Sequence, residues 1–149
     1  MRDGTVESVT SALKHAVRHQ APQSNSPAER ELVRRFVKAF QSGDVAALIS
    51  LLTADVRLSM PPIPLEYHGR DAVTRFYASV FKVAGRYVLV STRANGQPAF
   101  GAYALGSGGG VRYGVGVLVL TLACDRICVL TCFDHDELAS FGLPRSLPC

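Results

Sequence analysis

The chain has 149 residues, of which 48% are hydrophobic and 19% charged, and its formal charge is +4. That length provides one core and one domain, burying about two-thirds of the unfolded surface, and the apolar content excludes a disordered or collagen-like polymer. The longest apolar stretch, Val115 to Cys124, is about half of the ~20 residues a spanning helix requires, so no bilayer crossing is expected.

Taken in chain order, Val6, Val9, Leu13, Ala16 and Val17 recur at helical spacing and predict a short amphipathic helix over Thr5 to His19. The same N-terminus lacks the apolar run of a secretory leader, so a cytoplasmic location is expected. Residues 20–27 (QAPQSNSP) have the composition of a linker. Residues 1–25 therefore read as a separate helix and linker, and 26–149 as the main domain. Ser26, Pro27 and Glu29 form a capping-box start, and Leu32, Val33, Phe36, Val37 and Phe40 continue it as an apolar stripe ending near Gly43.

Asp44 caps a second helix with Val45, Leu48, Ile49 and Leu52 on its inner face. Asp55 to Met60 alternates as a strand, three prolines interrupt, and Leu65 to His68 follows. Val73, Phe76, Tyr77, Val80 and Phe81 mark a third helix. Strands are predicted over Arg86 to Arg93, Gln97 to Leu105, Val111 to Ala123 and Ile127 to Phe133, with Asn95-Gly96 as a hairpin turn and residues 106–110 as a loose tip. Helices followed by a meander predict an α+β fold: a cone-shaped, strongly curved antiparallel sheet packed on three helices, with no parallel pairing. Gly101, Gly114 and Gly116 are the expected points of bending or close approach.

Arg34, Arg35 and Lys38 gather on one helix, and the other basic residues are dispersed among acids, which favours solvated faces over a nucleic-acid surface. Cys124, Cys128 and Cys132 are spaced to share one strand face, and Cys149 is terminal. No pair has zinc-ligand spacing, so reduced, partly buried thiols and no metal are expected. Residues 106–110 (GSGGG) lack the helix and the Lys-Ser/Thr of a phosphate loop, and no other motif calls for a cofactor.

The strings MPP (60–62), YHGRDAV (67–73), RANGQPAF (93–100) and FGLP (141–144), in this order, resemble the SnoaL-like branch of the nuclear-transport-factor-like fold. They are most similar to the SnoaL-like domain appended to some extracytoplasmic-function sigma factors, over about residues 29–148. The stretch GTVESVTSALKHA (4–16) is similar to the last helix of a sigma factor's promoter-reading region four, which implies either a piece of a longer sigma factor or a free-standing descendant that kept a relic of that region. The resemblance implies a largely apolar pocket for a small oxygenated molecule, of the kind found in polyketide cyclases, epoxide hydrolases and isomerases. It also implies a homodimer through the sheet, and contact with RNA polymerase only in the sigma-factor case.

Such chemistry needs a carboxylate whose pKa apolar walls can raise, with donors facing a developing oxyanion. Asp134 is the first candidate acid/base: it ends the last strand on the face of Cys132 and Leu130, and the resemblance supports the position. It is equally suited to capping a C-terminal helix that begins at His135. Arg93 and Asn95 can position a carbonyl or epoxide oxygen, although Asn95 also suits a turn; Gln97 is a further polar candidate. His68, beside Glu66 and Tyr67, can shuttle protons. Tyr77, Tyr103 and Tyr113 can donate to an oxyanion, and Met60, Phe76, Phe81, Phe100 and Val117 are the expected apolar lining. Three readings follow: an enzyme that uses Asp134 for cyclisation, isomerisation or epoxide opening; a ligand-sensing or regulatory domain without turnover; and a dimerising scaffold. Genomic neighbours for polyketide or terpenoid assembly favour the first, and an upstream frame with the rest of a sigma factor favours the second.

Overall fold

The computed structural model describes residues 24–84, 86–105 and 110–148. The helix expected over 5–19, most of the 106–110 tip and Cys149 lie outside them. Helix α1 (Pro27–Ser42) starts as its capping box dictates: Ser26 Oγ accepts the Glu29 N–H at 3.2 Å, and Glu29 in turn accepts the Asn25 N–H at 2.9 Å. It ends at Gly43, whose φ of +69° suits the left-handed cap that glycine adopts at least cost. Asp44 caps the short α2 (Val45–Ile49) by accepting the Ala47 N–H at 3.0 Å. Leu52, expected on that helix, instead opens strand β1 (Leu52–Met60), which is followed by β2 (Ile63–His68) and helix α3 (Arg70–Ala84).

Four longer strands follow: β3 (Tyr87–Ala94), β4 (Gln97–Leu105), β5 (Val111–Ala123) and β6 (Arg126–Asp134). Asn95 (φ +52°) and Gly96 (φ +78°) make the β3–β4 turn that their dipeptide predicts. In place of the C-terminal helix expected from His135 there are two single 3-10 turns, His135–Glu137 and Ala139–Phe141, and a short strand β7 (Ser146–Pro148). The sheet runs β2-β1-β6-β5-β4-β3, with β7 on the start of β5. The β1–β6 pair is parallel, so the fold is α+β with a curved mixed sheet and not an all-antiparallel one. Parallel neighbours need a long crossover, and everything from β2 to β5 provides it.

One face of the sheet carries the main core. Leu32, Phe36 and Phe40 of α1, Leu48 of α2, and Val73, Tyr77 and Phe81 of α3 pack against Val56, Leu58, Phe100, Leu118, Leu120 and Leu130. Phe40 lies at its centre, with the rings of Phe36, Tyr77, Phe81 and Tyr87 all within 5.7 Å centroid to centroid. The opposite face carries a second cluster, Ala99, Tyr103, Val117, Val119 and Phe133, covered by Leu138 and Leu143 of the C-terminal segment.

Register shifts interrupt four of the strand pairs, and two of them bear on the site. Leu122 pairs with Ile127 but Thr121 with Val129, so Cys128 is the extra residue of β6. It turns to the second face, among Ala123 and Val129, while Cys132 packs against the main core. Cys124 sits in the β5–β6 turn at φ +57°. The expectation that the three thiols share one face is therefore corrected: an inserted residue changes which side each later residue takes. On β5, Ala102 pairs with Gly116 and Tyr103 with Gly114, leaving Val115 as the extra residue. Gly101, Gly114 and Gly116 mark close approaches as expected: a Cβ would lie 2.9 Å from Leu143 Cδ1, 2.3 Å from Leu138 Cδ1 and 2.5 Å from the Phe133 carbonyl oxygen, respectively.

Candidate functional site

Two cavities meet at the end of β6. The outer one, about 730 Å³, lies between the β1–β2 turn (Met60 to Ile63) and the strand end formed by Phe133 and Asp134, with His135 and Glu137 beyond it. The inner one, about 130 Å³, extends toward α1 and α3 and is walled by Phe40, Phe76, Tyr77, Val80 and Tyr87. Both are lined by Val115, Cys132 and Phe133, so they read as the mouth and the floor of one pocket. Its volume falls in the range of small-molecule sites. The β5 bulge brings Val115 to the junction, where its side chain stays 46% exposed.

The floor is chemically neutral. No Asp, Glu, Lys, Arg or His is among the described residues lining it. The Tyr77 hydroxyl and the Cys132 thiol lie 3.8 Å apart, within reach for a hydrogen bond to sulfur that either can donate. Burial pushes Tyr77 well above its usual range and Cys132 up to about 12, because a charged form would lose its hydration there. Both therefore keep their protons at neutral pH. Tyr87 is raised by the same cause.

The ionisable groups sit at the mouth. Asp134 ends β6 opposite Gly116 and lines the outer cavity, yet its side chain is 56% exposed. One carboxylate oxygen accepts the Asp136 N–H at 3.2 Å and pairs with His135 Nδ1 at 2.6 Å. Asp134 thus caps the turn His135–Glu137, the structural role its sequence position also suggests. Asp134, His135 and Asp136 could together offer ligand atoms to a metal, but all three are exposed.

The remaining candidates divide. Met60 lines the mouth, and Phe76, Tyr77 and Val117 line the floor, although the Val117 side chain packs into the second-face cluster. Phe81 is core. Phe100 is fully buried and stacks on Phe36 at 5.7 Å, away from both cavities. Arg93 lies at a separate groove between the start of α1 and the β3–β4 hairpin, where it donates to the buried Glu29 carboxylate at 2.5 Å and to Ser24 at 2.9 Å. Asn95 is a turn residue. Gln97 is buried, with Nε2 donating to Leu120 O at 3.2 Å and Thr121 Oγ1 at 2.8 Å. Tyr103 is on the second face and donates to Pro144 O at 2.6 Å. Tyr113 is exposed on β5. His68 is exposed on β2 and paired with Glu66 at 3.0 Å. None of these last five, nor Phe100 or Arg93, borders the pocket.

Sequence reasoning did not single out Cys132, Phe40, Tyr87, Val115 or Glu137 as pocket residues. The signal for Cys132 was present in its alternation with Asp134, and that for Phe40 in the stripe of α1.

The sequence model of the SnoaL-like domain matches residues 33–130. Over 126 residues the chain is 34% identical to the extracytoplasmic-function RNA polymerase sigma factor SigG of Mycobacterium tuberculosis, an alignment that takes in 83% of this chain and 34% of the relative. The chain thus spans about a third of that relative's length. Among solved structures it resembles an NTF2-like protein of Mesorhizobium loti (24% identity, 76% of this chain and 95% of that one, TM-score 0.59). It also resembles a protein with a ketosteroid isomerase-like fold from Catenulispora acidiphila (20% identity, 76% and 94%, TM-score 0.55).

Proposed function

From the premise that this chain belongs to the SnoaL-like family, we propose that it is a binding module for a small apolar molecule and works without turnover, as the ligand-sensing domain of an extracytoplasmic-function sigma factor. The observation that carries this reading is the pocket's division of labour. Its floor has only neutral donors and hydrocarbon, whereas Asp134, the candidate acid/base, is exposed at the mouth and occupied by a cap; the other carboxylate at the mouth, Glu137, is buried but already engaged in an interaction. General acid/base catalysis near neutral pH needs a carboxyl held in an apolar site and free to exchange its proton. The likeness to SigG supports the sigma-factor setting, in which the domain transmits ligand occupancy to the transcription machinery.

Native mass spectrometry of the purified chain tests the proposal. A co-purifying small molecule that is recovered chemically unchanged after prolonged incubation with excess protein is the expected result. Conversion of that molecule by catalytic amounts of protein overturns it.

One observation favours the second reading, an enzyme of cyclisation, isomerisation or epoxide opening: Asp134 does line the mouth. In that case Asp134→Asn, which retains an acceptor for the Asp136 N–H, abolishes turnover and leaves binding intact.

A further inference from the structure

We propose that the second face of the sheet is a docking surface for this chain's own N-terminal segment, residues 5–19, whose apolar stripe lies across β4, β5 and β6 beside the C-terminal cover. The C-terminal segment accounts for one half of that face, where Leu138 and Leu143 pack on Tyr103, Val117 and Phe133. On the other half Gln97, Thr121, Ala123, Cys128, Val129 and Thr131 are each no more than 6% exposed. Yet among the described residues no further hydrophobic side chain packs against Ala123, Cys128 and Val129. Arg57, which pairs with Val129 and alternates with the core residues Val56 and Leu58, is one side chain at the β1 margin of this patch. A sheet face is buried under a second layer of structure, and the described residues supply that layer to half of this one.

Chain path and chemistry select the occupant. The described residues begin at Ser24, whose hydroxyl donates to Gly96 O at 3.0 Å and accepts from Arg93 at 2.9 Å. The chain therefore arrives at the β3–β4 turn, next to Gln97 of this patch. Residues 20–23 reach about 13 Å when extended, and a helix over 5–19 is about 22 Å long, against about 10 Å from β4 to β6. The patch calls for an apolar cover, because it turns its polar groups on itself. Gln97 Nε2 donates to Leu120 O and Thr121 Oγ1, and Cys128 Sγ to Thr121 O at 3.4 Å, which leaves Gln97 Oε1 and Thr131 Oγ1 without a partner among the described residues. Val6, Val9, Leu13, Ala16 and Val17 present such a cover on one side of the expected helix. This docking does not depend on what the pocket binds.

Thiol labelling of the whole chain tests this, because Cys128 belongs to the patch and Cys132 packs against the main core on the other side of the sheet. In the wild type, iodoacetamide at pH 8 reaches neither. Val9→Asp combined with Leu13→Asp puts charge on the stripe, and should speed the labelling of Cys128 by at least about ten-fold while Cys132 stays protected. Ser11→Asp, on the opposite side of the same helix, should leave both thiols as they are. A second measurement keeps the stripe apolar: Leu13→p-benzoylphenylalanine, irradiated and mapped by mass spectrometry, should crosslink to residues 97–99, 119–123 or 128–131 of the same chain. Cys128 still protected in the double variant overturns the proposal, as do crosslinks confined to other parts of the chain or to a species of twice the mass; the last result makes a second copy the occupant of this face. If the double variant exposes Cys132 as well, the domain has unfolded and the crosslink decides.

Discussion

Gly116→Ala sets two effects of known sign against each other. The φ of Gly116 is not in the left-handed region, so alanine fits the local backbone, and the loss of unfolded-state freedom alone would stabilise the protein by about 0.4–1 kcal/mol. Against this, the new methyl would stand 2.5 Å from the Phe133 carbonyl oxygen, where ordinary contact begins near 3.4 Å. The strands must therefore part by nearly an ångström at this point. The obstructing atom is backbone, so no rotamer change relieves it, and overpacking of this kind costs about 1–3 kcal/mol. The clash wins. We expect a net loss of about 1–2 kcal/mol, read as a lower urea midpoint with an unchanged slope. Because Gly116 and Phe133 both line the floor, the same change should weaken binding of an apolar probe such as 2-ethylnaphthalene. A midpoint equal to or above that of the wild type would refute the close approach and the strand geometry built on it.

Other outcomes follow from individual contacts. Arg93→Met should destabilise by about 1.5–3 kcal/mol, toward the lower end because the Arg93 side chain is 38% exposed. It leaves the buried Glu29 carboxylate with the Asn25 N–H but does not touch the pocket, so binding of the same probe should stay unchanged; calorimetric melting and titration read the two effects separately. Cys128 and Cys132 are pushed up to about 11 and about 12 from an ordinary 9.0. At pH 8 iodoacetamide should therefore label the exposed Cys124 in the folded protein and reach those two only in urea, as peptide mapping would show. The same shifts make the protonated thiols part of the fold's stability. That contribution is complete below pH 9 and declines as the pH rises toward 11 and 12, because the unfolded chain ionises first. Cys132→Ala should flatten the decline in urea titrations over that range.

What was legible in the sequence was what nearby residues decide among themselves. The Ser26–Glu29 box, the Asp44 cap, the stripes of α1 and α3 and the Asn95-Gly96 turn each need only a few consecutive positions, and all appear where predicted. The parallel β1–β6 pairing joins segments about seventy residues apart, and no local pattern announces it. The bulge at Cys128 likewise exists only in relation to the partner strand. The site divides in the same way. Met60, Phe76 and Tyr77 follow from faces of single elements and do reach the pocket, whereas Val117 borders it although its side chain packs on the second face. Arg93 is claimed by Glu29, 64 residues away, and Tyr103 by Pro144, 41 residues away, so these side chains have structural tasks that only the folded chain defines. Phe100 and Tyr103 are three apart on one strand, and period two alone forbids both from facing the same side.

The position of Asp134 ties the fold to the choice between readings. Were β6 one residue longer, the Asp134 carboxyl would remain within the sheet. The chain instead turns immediately, and the 3-10 turn that closes over the second face at Leu138 recruits Asp134 as its cap. Covering that face with Leu138 and Leu143 therefore draws the carboxylate toward water. The polar side chains on the floor are the phenols of Tyr77 and Tyr87 and the thiol of Cys132, all of which burial keeps protonated. Such a floor can donate a hydrogen bond and exclude charge, but it cannot accept a proton at neutral pH, and the proposed recognition function rests on that difference.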